Sequence, residues 1–197
     1  MLKLRLNTTT IKPKSTVIHW CRLDTTGSES ALLKQTANGW NLSGLAVFLD
    51  EEESCGLRYE IECNQDWQTQ TVKVFGHIGT ASCDILIESK NGSWILNGVP
   101  CPEVAGCVDI DLGFSPSTNL LPIRRLAIDV GQRESVKAAW LKFPDMTLTL
   151  LEQSYARKSE THYVYESRGG AFTADLEVNH DGFVTLYPNL WEEVAPK

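Results

Sequence analysis

Asp109 and Asp111 are the residues whose types and spacing first suggest chemistry. They stand in the stretch GCVDIDLGFSPSTNLLPIRRL, at 106–126, which also carries Arg124 and Arg125. On a strand, a D-x-D spacing puts both carboxylates on one face, about 6.6 Å apart. Inverting glycosidases hold their acid and base roughly 6.5–9.5 Å apart. Any D-x-D strand reproduces that distance, so the spacing alone does not separate catalysis from binding. Carboxylates this close repel, and each calls for a cation or several donors. Arg124, Arg125 and Arg22 are the cations to expect as partners. A structural or ligand-binding role is the stronger reading of the pair, and acid–base catalysis the weaker.

Glu60 and Glu62 in YEIEC, and Glu166 beside Tyr165 in YVYES, interleave carboxylates with apolar and aromatic residues. If one strand face meets solvent, these acids are ordinary outward positions. In a closed roll they could instead line an interior around a ligand. Sugar hydroxyls suit such a wall, since each donates to a carboxylate and accepts from an arginine. Tyr59, Tyr163, Tyr165, Trp20, Trp67 and Trp94 could offer flat faces to a sugar ring or a lipid chain, although each alone reads more simply as core. Other chemistries find no footing. His19, His77, His162 and His180 show no metal-ligand spacing. FSPS lacks the glycines of a nucleophile elbow. No glycine-rich loop opens a helix, and the acidic run DEEES lacks the spaced ligands of a calcium loop. No metal and no cofactor are expected.

The elements that must position these residues are mostly strands. TVIHWCRL, LRYEIECN, QTVKVF, CDILIES, MTLTLLEQSY, HYVYES, AFTADLEV and GFVTLY all alternate with period two. Asn91-Gly92 in KNGSW tolerates positive φ at both turn positions, and SRGGA and NHDGF are further glycine-centred turns. More than ten short strands joined by hairpins predict an antiparallel roll or barrel over 1–197 as a single domain. Helix is scarce. The best stretch is 115–121, with Ser115 as cap, Pro116 at the first helical position and Pro122 as the stop. ESALLKQTA reads equally as a second helix or as a strand.

Composition narrows the partners. The chain has 197 residues, 42% hydrophobic, with a formal net charge of −7. That charge argues against nucleic acid, whose phosphates require a basic face. No window approaches the ~18 continuous apolar residues of a membrane span, and the N-terminus lacks a signal-peptide block. The expected location is cytoplasmic, where Cys21, Cys55, Cys63, Cys83, Cys101 and Cys107 are buried free thiols rather than disulfides.

Three stretches together resemble a known family, the glycolipid-binding proteins once classed as a domain of unknown function. They are YEIECNQDW at 59–67, GCVDIDLGFSPSTNLLPIRRL, and YVYESRGGAFTADLEVNHDGFVTLYPNLWEEV at 163–194, and the early HWCRLD fits their order. The second is the most specific, although the family often has Thr-Asn-Thr-Leu-Pro where this chain has Thr118-Asn119-Leu120-Leu121-Pro122. The resemblance implies a mainly β fold, an antiparallel spiral β-roll of many strands wrapped around a single short α-helix. It also implies a homodimer, and a distant likeness in shape to lipoprotein carriers and mycobacterial glycolipid-binding lipoproteins. No catalytic residues come with it. A glycolipid or other amphiphile is the expected ligand, met by Asp109, Asp111, Arg124, Arg125, Glu60, Glu166, Tyr165 and Arg22. Two alternatives stay open: an enzyme of glycoside or glycolipid metabolism using Asp109, Asp111 and Glu60, or a purely structural charge network.

Overall fold

A computed structural model describes residues 14–194. Its strands are β1 (Ser15–Arg22), β2 (Gly27–Gln35), β3 (Gly39–Asp50), β4 (Glu53–Asn64), β5 (Thr69–Ile78), β6 (Ala81–Lys90), β7 (Ser93–Leu96) and β8 (Val99–Pro100), then β9 (Asp109–Leu112), β10 (Arg133–Lys142), β11 (Thr147–Arg157), β12 (His162–Ser167), β13 (Phe172–Val178), β14 (Val184–Tyr187) and β15 (Trp191–Glu193). All fifteen form one sheet, in the order β8 through β1, then β15 through β9. The order is that of the chain, cut between β8 and β9 and rejoined by the antiparallel pairing of β1 with β15. Every neighbouring pair is antiparallel except β9 and β10, whose connection carries the one α-helix among the described residues. The result is a mainly β roll around a short helix, not a closed barrel.

Period-two alternation decides which side chains go inside. On β4, Cys55, Leu57, Tyr59, Ile61 and Cys63 are buried while Arg58 and Glu62 point outward. On β1, Ile18 and Trp20 are the buried face. ESALLKQTA is strand: Glu29, Ala31 and Leu33 of β2 face inward and Ser30 and Leu32 outward. The core runs through the whole roll and includes Leu120, Leu121 and Ile123 of the helix. Burying each such side chain contributes roughly 1.5–3 kcal/mol relative to leaving it exposed.

The helix differs from expectation in its bounds. A 3-10 turn, Ser117–Asn119, leads into α1 (Leu120–Leu126), which ends at Ala127 in the left-handed region with φ 46°. Pro122 thus lies inside the helix rather than ending it. It falls in the first turn of α1, the part of a helix where proline is best tolerated. Burial of Leu121 and Ile123 outweighs the local preference against helix before proline. The polar residues of the entry turn are buried but satisfied. Thr118 Oγ1 accepts from the Leu112 N–H at 3.2 Å, and Asn119 Oδ1 accepts from the Tyr155 hydroxyl at 2.9 Å. A seam ties β9 to the far side of the roll: the Thr69 N–H donates to the Val108 carbonyl, and the Ile110 N–H to Thr69 Oγ1, both at 3.2 Å. No helix among the described residues is long and apolar enough to cross a membrane.

Candidate functional site

β9 pairs with β10 only from Ala138 to Leu141, so the edge of β10 at Ser135, Val136 and Lys137 lies open. A groove of about 610 Å³ fills that gap, lined among others by Arg125, Lys137, Glu152, Gln153, Glu166 and Ser167. Next to it is a smaller cavity of about 190 Å³, whose walls include Asp111, Ser115, Trp140, Tyr165, Phe172 and Trp191. Ser167 lines both. Gln153, the cross-strand neighbour of Ser167, lines the groove and donates through Nε2 to Asp111 Oδ2 at 2.6 Å. A polar groove and an aromatic cavity therefore meet at Ser167, Gln153 and Asp111.

The two aspartates have different surroundings. Asp109 is 1% exposed and held on both oxygens by Arg125, Nε to Oδ1 at 2.9 Å and Nη2 to Oδ2 at 2.6 Å. Burial still leaves its pKa above the ordinary value, against the pull of Arg125. Asp111 has no such cation. Burial pushes it up to about 6, and the Gln153 hydrogen bond offsets only part of that rise. Tyr165 is buried in the cavity wall among Tyr155, Phe172 and Tyr187, with ring centroids 5.1 to 6.1 Å away. Desolvation raises its hydroxyl above the usual range, so it is a neutral phenol near neutral pH. Glu166 sits on the groove rim, paired with Arg133 through Nη2 at 3.1 Å from Oε1 and through Nη1.

Asp109, Asp111, Arg125, Glu166 and Tyr165 are thus brought together, and three other expected residues are not. Glu60 lies on the outer face of β4, 3.6 Å from Arg58. Arg22 is paired with Asp24 and stacks over Phe48 and Trp191, at 4.5 and 5.0 Å from their ring centroids. It touches the aromatic cavity only through the Trp191 it covers. Arg124 turns to a different cavity altogether, lined also by Arg157 and His180. Successive helix residues point to different sides at 3.6 residues per turn, which separates it from Arg125.

One charged group was not expected at all. Glu29 is 1% exposed. Its Oε1 accepts from the Tyr59 hydroxyl and the Ser115 hydroxyl, each at 2.6 Å, and its Oε2 is buried without a partner. Burial pushes its pKa up to about 7, despite the two hydrogen bonds and the charge of Arg22. The tyrosine reaches it because residue 44 is glycine: a Cβ there would collide with the Tyr59 ring. Since Ser115 also lines the aromatic cavity, Glu29 stands one hydrogen bond behind that wall. The signal lay in the alternation of β2, where Glu29 shares a face with Ala31 and Leu33. Among the described residues, no group of three or more acidic, histidine or cysteine side chains could hold a metal ion.

Comparison with known proteins places the chain. Residues 17–193 match the family described as "Putative glycolipid-binding". The chain belongs to that family. A crystal structure of a DUF1089 family protein from Pseudomonas aeruginosa is similar over 98% of both chains, at 26% identity and a TM-score of 0.70. No curated protein matches the sequence.

Proposed function

We propose that this member of the family binds an amphiphile without transforming it, and that its ligand is a glycolipid. The observation that carries this reading is the junction at Ser167, where a polar groove opens beside an aromatic cavity. The hydroxyl-rich head would lie in the groove, against Arg125, Glu166 and Gln153. A ring or the start of a chain would enter between Tyr165, Phe172 and Trp191. Asp111 stands between the two. The groove carries both signs of charge, Arg125 and Lys137 with Glu152 and Glu166, which suits a neutral polyol that both donates and accepts. The paired-carboxylate enzyme is less well supported: Asp109 is already engaged on both oxygens and Glu60 faces away. The proposal includes a homodimer, as the family resemblance implies, of a single-domain chain in the cytoplasm.

Extraction of the purified chain with organic solvent, followed by mass spectrometry, tests the reading. A retained amphiphile, or saturable uptake of an added glycolipid weakened by Asp111→Ala, is the expected result. A chain that retains no lipid and takes up no glycolipid refutes it.

A further inference from the structure

Arg124 opens on a cavity of about 540 Å³, bordered by Arg157, Tyr163, Asn179, His180 and Glu160. Its side chain is fixed from two sides. Its guanidinium carbon lies 5.1 Å from the ring centroid of Trp67, which is itself stacked on Trp40 at 4.2 Å. Against its stem lies Gly182, with φ +94°, where a Cβ would come within 2.9 Å of Arg124 Cδ. A glycine at that position leaves the arginine its berth. Yet among the described residues Arg124 enters no ion pair, and its Nε is buried with no acceptor.

Arg157 is also held by its neighbours. Its guanidinium donates to the carbonyls of Ile128, Ser159 and Glu160 at 2.9, 3.1 and 3.1 Å and stacks 5.7 Å from Tyr163. Among the described residues, the only carboxylate on this cavity wall is Glu160. Asp181, close enough for Arg124 to lower its pKa, is already held by Lys14 at 2.6 Å and Thr16 at 2.8 Å. A chain of net charge −7 thus has a cavity where arginine and histidine outnumber carboxylates. A cation near the C-terminal end of α1 also meets the helix dipole favourably. That role requires neither an aromatic clamp nor a vacated Cβ.

We propose that this cavity is a second binding site, distinct from the groove and the aromatic cavity, and that it takes a phosphate group on Arg124 and Arg157. Guanidinium forks held in place match phosphate oxygens in geometry and charge. The group is either free phosphate or the phosphate of a lipid head.

Titration of the full chain with inorganic phosphate and with dihexanoyl phosphatidic acid, followed by tryptophan fluorescence and calorimetry at constant ionic strength, distinguishes these sources. Saturable binding of either supports the site. Competition between them marks the phosphate as the recognised group, and binding of phosphatidic acid alone marks a lipid source. Arg124→Gln should weaken binding on the order of tenfold or more. Arg124→Lys should weaken it too, since the charge remains but the fork is lost. Should both variants fail to fold, a rise in the wild-type melting temperature with phosphate, absent with chloride, still carries the test. No saturable binding and no such rise at millimolar concentrations, or a folded Arg124→Gln variant that binds like wild type, overturns the proposal.

Discussion

Arg125→Met isolates the one buried ion pair of the candidate site. The substitution keeps much of the apolar stem and removes the charge. Asp109 is 1% exposed and loses both of its hydrogen bonds at once, while the Arg125 side chain it faced was 21% exposed. Removing one member of a buried pair costs about 3–5 kcal/mol, and partial exposure of the arginine puts this case near 3. Asp109 can escape part of that cost by taking up a proton. Its folded-state pKa is already above the ordinary value and rises further once Arg125 is gone. The folded variant then binds a proton more tightly than the unfolded chain, so its stability falls as pH rises toward the new pKa. Urea unfolding of wild type and variant at about pH 5 and about pH 8 measures this. The deficit should be smaller at the acid end, by roughly 1.4 kcal/mol for each unit of further rise in pKa that lies within that range. Asp109→Asn, which leaves only a partly exposed guanidinium unpaired, should cost less than Arg125→Met. A deficit under about 1 kcal/mol, or one that does not shrink toward acid, refutes the view that this pair is a buried structural tie.

Glu29 gives a second pH signature. A carboxyl moved from an ordinary 4.5 to about 7 keeps its proton longer in the folded state, so stability should fall between those two values, by about 3 kcal/mol in all. Glu29→Gln should abolish that fall and be the more stable protein above about pH 8; parallel stability curves for the two proteins would show that Glu29 is not the group responsible. The thiols offer a third check. Cys21 is partly exposed and the other five are buried, so a thiol reagent should modify Cys21 rapidly in the native protein and all six only after unfolding. Cys21→Ala should remove the fast phase, and a second fast thiol in the native state would contradict the burial pattern.

Much of this roll is legible from alternation alone. Inward and outward residues on β4 and β1 follow directly from period two, and the turns at Asn91-Gly92 and Gly169-Gly170 fall where glycine and asparagine supply positive φ. One local rule misled, and one stretch stayed open. Pro122 reads as a stop, but proline is tolerated in the first turn of a helix. ESALLKQTA has no decisive period, because a buried glutamate hides the apolar face that Ala31 and Leu33 would otherwise announce. Register between distant segments was beyond reach. Alternation on β4 already sets Glu60 on the face of Arg58 and Glu62, but nothing local could tell that Gln153, from β11, supplies the partner of Asp111.

The same limit explains why the DID and IRR runs look like one cluster and act as three. Asp109 and Arg125 close on each other and pin the helix to β9. That tie fixes the backbone two residues on, where Asp111 receives a hydrogen bond from Gln153 and no cation. A carboxyl at about 6 is mostly ionised near neutral pH, so its second oxygen is left to find donors from the cavity. A cation placed there would satisfy Asp111 permanently and close the junction between groove and aromatic wall. Without one, on the proposed reading, the carboxylate is free for ligand hydroxyls, and the neighbouring ion pair keeps it in register for them. Arg124, rotated to the other side of the helix, takes no part in this. Its guanidinium borders the second cavity instead.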